Sequence, residues 1–85
     1  MHYVYVLINA DKKFYIGVTD NIERRLDEHN AGLSNFTSKS KLWKLVYFEA
    51  YTTLSLARRR ENKLKNHGKG FQELKKRILD EKGEG

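Results

Sequence analysis

The stretch YIGVTDNIERRLDEH, residues 15–29, joins the end of a strand to most of a helix. β-Branched and aromatic residues dominate its first five positions, which is typical of a strand. Asp20 and, three positions later, Glu23 resemble a capping box with Asp20 as the N-cap. Gly32 is a suitable first residue after a helix, so the sequence predicts a helix over about residues 21–31.

This predicted helix turns an arginine and a histidine toward the protein interior. At 100° per residue, its apolar stripe contains Ile22, Leu26, Arg25 and His29, whereas Arg24 falls on the opposite side. Because a guanidinium keeps its charge, an inward arginine needs a partner or a ligand. One explanation is an arginine that reaches solvent beside a hydrogen-bonded core histidine. The other explanation is a functional site. It is favoured because Arg25 and His29 lie one turn apart on the same stripe.

A β-hairpin is predicted before this helix. Residues 3–8 and 14–19 are rich in β-branched and aromatic residues and flank a polar segment. If Asn9 and Lys13 close a loop of three residues, paired positions have numbers with an even sum. Odd-numbered residues of both strands then share one face of the sheet.

Two tyrosines and a glycine lie on that face. The predicted register puts Gly17 opposite Tyr5, with Tyr15 as the diagonal neighbour of Tyr5. We expect the glycine to leave open space beside the two rings, where a ligand can approach the sheet. The alternative is a pair of strand tyrosines packed beneath a helix.

Residues 33–42, LSNFTSKSKL, have no clear periodicity and predict a loop. Phosphate binding and simple solvation are the alternatives for its hydroxyls and lysines. Trp43 follows directly, and packing in the core is favoured for it over stacking on a base.

A third strand is predicted over residues 43–51, where aromatic and aliphatic residues alternate. The alternation puts Leu45 and Tyr47 on one face, and Val46 and Phe48 on the other. Because both faces are apolar, we expect both sides of the sheet to be covered at least in part.

The next predicted helix, over about residues 54–65 with Thr52 or Thr53 as its cap, turns one acid inward. Glu61 lies in the middle of its apolar stripe. The outer face contains Arg59, Arg60 and Lys63. A buried carboxylate is costly unless a cation compensates it. Glu61 therefore indicates either a metal ligand or an ion pair with Arg25.

The last segment predicts another helix. Residues 66–70, NHGKG, break the preceding helix, and residues 71–81 restart one with Phe71, Leu74 and Ile78 at helical spacing. Residues 82–85 are expected to fray. We expect residues 1–85 to form a single domain.

The composition restricts the function classes. Cysteine is absent, which excludes disulfides and thiolate metal sites. No apolar run is long enough to span a membrane, and the cytoplasm is the expected location. The formal charge is +6, and residues 39–85 contain thirteen basic and six acidic side chains against four and five in residues 1–38. A positive second half favours nucleic acid as a partner, although a solvated lysine-rich surface has the same composition.

The inward polar residues of the two helices and the two tyrosines on one sheet face together form a set suited to phosphodiester hydrolysis. A carboxylate holds Mg²⁺ or Mn²⁺ against a phosphate oxygen, an arginine offsets transition-state charge, and a phenol or imidazole activates or positions water. The set comprises Tyr5, Tyr15, Arg25, His29 and Glu61.

The order and spacing of these residues resemble the GIY-YIG nuclease family over nearly the whole chain. The segments that carry the resemblance are YVY at 3–5, YIG at 15–17 and its continuation to Gly32, and the helix of Glu61. The resemblance is particularly to the small single-domain bacterial members, and the chain is also similar to the N-terminal catalytic domain of the excision-repair nuclease subunit. This implies an α/β (α+β) sandwich, with a three-stranded, mainly antiparallel sheet flanked by helices in the order β-β-α-β-α-α.

The resemblance also implies a role for each residue. Tyr5 or Tyr15, with Tyr5 preferred, would position or deprotonate the attacking water. Arg25 would contact the scissile phosphate and His29 would transfer a proton. Glu61 would hold a single divalent ion, Mg²⁺ or Mn²⁺.

On this resemblance, the expected function is that of a metal-dependent endonuclease in repair or recombination. Its expected substrate is structured or single-stranded DNA rather than RNA, and we expect a monomer that uses a protein partner for targeting. The basic residues expected to contact nucleic acid are Lys39, Lys41, Arg58 and Lys65.

One family feature is missing. Many members place a late asparagine near the phosphate, but no asparagine follows Asn66, and Asn62 and Asn66 come too soon after Glu61. The alternative function is therefore a nucleic-acid-binding module with weak or no catalytic activity.

Overall fold

The computed structural model describes residues 1–32, 42–66 and 68–84, which form three strands and three helices. They are β1 (His2–Ile8), β2 (Phe14–Thr19), α1 (Ile22–Asn30), β3 (Lys44–Tyr51), α2 (Leu54–Asn66) and α3 (Gly68–Glu84). The predicted α+β class and the order β-β-α-β-α-α are confirmed. In the described ranges, no helix has the length and apolar character that a membrane crossing requires. The predicted loop over 33–42 falls outside these ranges except for Leu42.

The hairpin has the predicted register. β1 is the central strand, with β2 and β3 antiparallel on either side, and Tyr5 pairs with Gly17. The turn forms because the Asn9 side chain accepts hydrogen bonds from the backbone N–H groups of Asp11 and Lys13, at 3.0 and 2.9 Å. An asparagine that bonds to the following backbone is a common turn device, and it fixes the strand pairing here.

Both faces of the sheet are covered, as predicted. Even-numbered strand residues pack with α2 and α3 in a cluster of Val4, Val6, Ile16, Ala57, Leu64, Leu74 and Ile78. On the opposite face, Tyr5, Leu7 and Trp43 are buried, and Leu26 of α1 packs against them. Only 4% of Trp43 is exposed, so its predicted place in the core is confirmed.

A register shift in β3 changes the predicted alternation. Tyr47 pairs with Val6 while Leu45 pairs with Leu7, so Val46 is an extra residue, as in a β-bulge. Val46 and Tyr47 both pack against the α2 and α3 cluster, and Leu45 packs on the other face. The prediction that Leu45 and Tyr47 share a face is therefore wrong.

The cap of α1 is one residue later than predicted. The Asn21 side chain accepts the backbone N–H of Arg24 at 3.0 Å, which makes Asn21 the N-cap. Asp20 instead accepts a hydrogen bond from the Arg24 guanidinium at 2.9 Å. Both residues are good caps, and the sequence alone does not choose between adjacent candidates.

α3 begins earlier than predicted. It includes Gly68 and Gly70, although the segment 66–70 predicts a break. Each glycine costs a helix about 1 kcal/mol relative to alanine. Packing of Leu74 and Ile78 against the core, where each is 6% exposed, outweighs that cost, because most helix stability in proteins comes from the packed face. The helix also continues through Glu84, which includes three of the four residues expected to fray.

Candidate active site

A cavity of about 600 Å³ opens where β1, β2, α1 and α2 meet. Its lining includes four of the five predicted catalytic residues, Tyr5, Tyr15, Arg25 and Glu61. Three further residues of α2 also line it: Arg58, which is predicted to contact nucleic acid, Leu54 and Asn62. The structure thus brings together side chains from four elements that are distant in the sequence.

Tyr5 lies against Gly17. A Cβ atom at position 17 would be 2.5 Å from the Tyr5 hydroxyl oxygen and 2.6 Å from Cζ. The predicted open space above the glycine is therefore wrong, because the ring of Tyr5 itself fills it. Because Gly17 has no side chain, the ring of Tyr5 can lie close to the backbone of β2 while the Tyr5 hydroxyl reaches the cavity.

His29 lies behind Tyr5 rather than in the cavity. Its Nε2 is 2.9 Å from the Tyr5 hydroxyl, and the residue is fully buried. Burial, together with the positive charge of Arg25, lowers the pKa of His29 to about 4. Burial raises the pKa of Tyr5 to about 12, although a hydrogen bond from Arg25 acts in the opposite direction. Both groups are therefore neutral at pH 7 and share one hydrogen bond.

Arg25 lies at the edge of the cavity, with 32% of its side chain exposed. Its guanidinium donates a hydrogen bond to Glu28 at 2.9 Å and also contacts the hydroxyls of Tyr5 and Tyr15. The hydrogen bond to Glu28 has the largest effect on the pKa of Arg25 and raises it. Burial has the next largest effect and lowers it, but the pKa remains raised overall. Glu28 is one helical turn away and within easy reach. The predicted alternative of an Arg25–Glu61 ion pair is therefore wrong.

Glu61 points inward as predicted, with 19% of its side chain exposed. Its helix begins after Thr53, whose hydroxyl accepts the backbone N–H of Leu56 at 3.2 Å. The carboxylate of Glu61 forms an ion pair with Lys65 at 2.9 Å, one turn later. Lys65, predicted to contact nucleic acid, compensates the charge of the inward acid, and 46% of its side chain remains exposed.

The other predicted nucleic-acid contacts remain predictions. Arg58 is exposed and lines the cavity. Lys39 and Lys41 lie outside the described residues.

The donor set of the cavity fits one hard divalent ion. In the described parts of the chain, no group of three or more His, Cys, Asp or Glu side chains could form a metal cage. Mg²⁺ does not require such a cage, since it commonly uses one or two carboxylates together with water and substrate phosphate. Glu61 can supply a carboxylate, and Asp20 also lines the cavity, although Asp20 is paired with Arg24 at 2.9 Å.

A second polar cluster joins β3 to α2. Arg60 donates to both oxygens of Glu49, at 2.9 and 3.1 Å, and the hydroxyls of Tyr47 and Tyr51 donate to the same carboxylate. Burial opposes the charge of Glu49, but these hydrogen bonds outweigh it and lower its pKa. The prediction that Arg60 belongs to the outer face of its helix is wrong, because the edge of β3 covers that side.

Asn62, which was predicted to come too soon after Glu61 to serve as the late asparagine, lines the cavity. It follows Glu61 directly and is exposed on α2, so its type and position alone look like those of an ordinary surface residue. The available signal was its spacing from Arg58, because residues four apart on a helix lie on the same side.

Comparisons with known proteins identify the family of this chain. A family model described as the GIY-YIG catalytic domain matches residues 1–76. A UPF0213 protein of Haloquadratum walsbyi is 39% identical over 94% of this chain and 88% of its own length. A second, from Natronomonas pharaonis, is 39% identical over 96% of this chain and 95% of its own. The solution NMR structure of a UPF0213 protein from Bacillus halodurans is 30% identical, with a TM-score of 0.53, and covers 86% of this chain and 81% of that one.

Proposed function

Because the chain belongs to the GIY-YIG family, whose members are generally nucleases, we propose that it is a divalent-metal-dependent endonuclease. Its substrate is DNA, in structured or single-stranded form, and it acts in the cytoplasm in repair or recombination. The observation that carries the proposal is the shared cavity of Tyr5, Arg25 and Glu61. A phenol, a guanidinium and a carboxylate together can activate water, bind phosphate and hold a cation.

Tyr5 acts on the attacking water through its contact with His29. A phenol with a pKa near 12 is a poor base at neutral pH unless its own proton has an acceptor. The neutral His29 provides one, because its Nε2 is 2.9 Å away and can accept when Nδ1 carries the hydrogen. As the water oxygen bonds to phosphorus, its proton passes to Tyr5 and the Tyr5 proton passes to His29. The bond to the leaving strand breaks, and that oxygen takes a proton from solvent. Because the pKa of His29 is only about 4, the imidazolium then returns its proton to Tyr5, and the proton that Tyr5 took from the water passes to solvent.

Arg25 binds the phosphate that is cut. Its guanidinium is oriented by Glu28 at 2.9 Å and lies beside both cavity tyrosines. Charge-assisted hydrogen bonds to the non-bridging oxygens strengthen as negative charge develops in the transition state. Tyr15, whose ring centroid is 6.2 Å from that of Tyr5, forms the other wall beside the phosphate.

Glu61 holds the divalent ion. When bound, Mg²⁺ or Mn²⁺ supplies positive charge to a phosphate oxygen. Lys65, now 2.9 Å from one carboxylate oxygen of Glu61, competes with an ion for that carboxylate. The lysine therefore keeps the charge of the inward acid compensated in the metal-free protein.

A nucleic-acid-binding module with weak or no catalysis is the second candidate. The Glu61–Lys65 ion pair favours it, because an occupied carboxylate is a weaker metal ligand. The absence of any asparagine after Asn66 points the same way. This candidate predicts salt-sensitive binding without turnover.

A cleavage assay with matched variants tests the proposal. Labelled single-stranded, flapped and duplex DNA, with RNA counterparts, are incubated with Mg²⁺ or Mn²⁺ and with EDTA. We expect Arg25→Gln, Glu61→Gln and Tyr5→Phe each to reduce the rate roughly 10²-fold or more. Arg24→Gln and Tyr3→Phe are the controls, since neither Arg24 nor Tyr3 lines the cavity.

The outcomes separate the two candidates. Metal-dependent cleavage that is lost in the cavity variants and kept in the controls supports the nuclease. Salt-sensitive binding without any cleavage supports the binding module. Cleavage that is indifferent to EDTA and to the cavity substitutions would overturn the proposal.

A further inference from the structure

The candidate active site continues over the first two turns of α2. A second depression, of about 620 Å³, is lined by Leu54, Ser55, Arg58, Arg59 and Asn62. Three of these residues, Leu54, Arg58 and Asn62, also line the site cavity. We call the five residues of the second depression the α2 groove. The shared lining makes the groove and the active site one continuous concave surface.

The arginines of the α2 groove differ from the others near the site in their partners. Arg24, Arg25 and Arg60 each form an ion pair with a carboxylate at 2.9 Å. Across the described ranges, neither Arg58 nor Arg59 has an acidic group at ion-pair distance, and both are exposed. The first turn of α2 contains no acidic residue. Two uncompensated guanidinium groups thus face solvent beside the cavity.

From this arrangement we infer that the α2 groove binds the phosphates of the nucleic-acid strand on one side of the cleavage position. The inference rests on the proposed function, since it takes the cavity to hold the scissile phosphate. Leu54 and Asn62 are eight residues apart, or about 12 Å along a helix. A duplex strand has one phosphate per about 3.4 Å of duplex axis, so a helix segment of this length that lies parallel to the axis spans roughly three phosphates.

The amide and guanidinium groups of the groove differ in their distance from the cavity. Asn62 follows Glu61 and lines both depressions, so its amide donates to the phosphate adjacent to the one being cut. Arg58 also lies at the junction of the two depressions, and Arg59 lies only in the outer one. Guanidinium groups are well suited to phosphate because they donate two parallel hydrogen bonds.

Binding measurements in a Glu61→Gln background test the inference without cleavage of the probe. The probe is a fluorescein-labelled single-stranded oligodeoxynucleotide, and its dissociation constant is measured over a range of salt concentrations. We expect Arg58→Gln and Arg59→Gln each to weaken binding and to reduce the slope of log affinity against log salt by about 0.7, which corresponds to one lost phosphate contact. Lys63→Gln is the matched control, because Lys63 is exposed on the same helix and lines neither depression.

Neutral methylphosphonate linkages then locate the contact along the strand. In the parent protein, we expect neutralised phosphates on one side of a defined cleavage position to weaken binding. In Arg58→Gln the same neutralisation adds a smaller loss, since the contact is already missing. The inference is overturned if Arg58→Gln and Arg59→Gln change probe binding no more than Lys63→Gln does. It is also overturned if the protein does not bind the probe.

The wild-type cleavage assay separates this inference from the proposed function. If the arginine variants lose salt-dependent contacts but the wild-type protein never cleaves with Mn²⁺, catalysis is refuted. Phosphate binding by the α2 groove then stands, and only its relation to a cleavage position is lost. If the protein cleaves and the salt slopes of the arginine variants match that of Lys63→Gln, the groove is refuted and the nuclease stands.

Discussion

The hydroxyl of Tyr5 lies 2.9 Å from Nε2 of His29, and the imidazole is fully buried behind it. A histidine in this position cannot touch a substrate, so any effect that it has on the reaction passes through the phenol. The same burial makes His29 a determinant of acid stability.

We predict that the protein loses stability as the pH falls from about 6.5 to about 4. The pKa of His29 is lowered from 6.5 to about 4 in the folded protein, so in this interval the unfolded state binds the proton more strongly. Stability from this group is present above pH 6.5 and is lost as pH falls through the folded pKa. The loss is roughly 3 kcal/mol, at 1.36 kcal/mol per pKa unit.

Urea unfolding at pH 7 and pH 4 measures this effect. His29→Gln keeps an acceptor for the Tyr5 hydroxyl but does not titrate, so its unfolding free energy should fall less over the interval. Carboxylates titrate in both proteins, and their contribution cancels in the comparison. An equal pH dependence in wild type and His29→Gln would show that the buried imidazole is not the acid-sensitive group.

Two glycine substitutions are predicted to change the stability of the protein in opposite directions. Gly17→Ala places a Cβ atom 2.5 Å from the Tyr5 hydroxyl, so we expect a loss of roughly 1 to 3 kcal/mol in unfolding free energy, as in an overpacked core, and slower cleavage. A Cβ at Gly70 in α3 meets nothing within 4 Å, so Gly70→Ala should stabilise the protein by up to about 1 kcal/mol. Thermal melting of both variants measures the difference. Equal stability of Gly17→Ala and wild type would contradict the close contact.

Lys65 is predicted to compete with metal for Glu61. The ion pair at 2.9 Å is partly exposed, so it is worth at most about 1 kcal/mol. We expect Lys65→Gln to tighten Mn²⁺ binding by up to about fivefold and Glu61→Gln to abolish it. Lys63→Gln is the control. Titration calorimetry with Mn²⁺ gives the affinities, and unchanged affinity in Glu61→Gln would remove Glu61 as the ligand.

Replacing the adjacent residues Arg59 and Arg60 is predicted to have different effects on the stability of the protein. Arg60→Gln deprives Glu49 of two charge-assisted hydrogen bonds, and hydrogen bonds to charged groups contribute about 1.5 to 3 kcal/mol. We therefore expect Arg60→Gln to cost about 2 kcal/mol. Arg59→Gln should lie within about 0.5 kcal/mol of wild type, as is usual at the surface. Denaturant unfolding of the two variants checks this, and similar midpoints would mean that the Glu49 cluster contributes little.

Features determined by spacing along the chain could be predicted. A loop of three residues sets the register of the hairpin, and this register places Gly17 opposite Tyr5. The helical period likewise identifies His29 and Glu61 as inward residues. These predictions need only the repeat of one element or the length of one turn.

Features that depend on what lies opposite an element could not be predicted. The partner of Arg25 is Glu28 on its own helix, whereas a helical wheel shows only that both Arg25 and Glu61 point inward. Arg60 points away from the apolar stripe but meets Glu49, because β3 reaches that side of α2. The shift at Val46 changes which β3 residues face α2, and neither alternation nor residue type signals a bulge there.

The central position of β1 has a consequence for the protein during translation. β1 is synthesised before the other strands and helices described, yet it is paired on its second edge only when β3 emerges, since His2 pairs with Tyr51. Glu61 follows later still. A ribosome-bound chain that has released only the hairpin and α1 presents Tyr5 and Arg25 without the opposing carboxylate. The candidate site is therefore assembled only after α2 has emerged, and a chain interrupted before that point in translation lacks it.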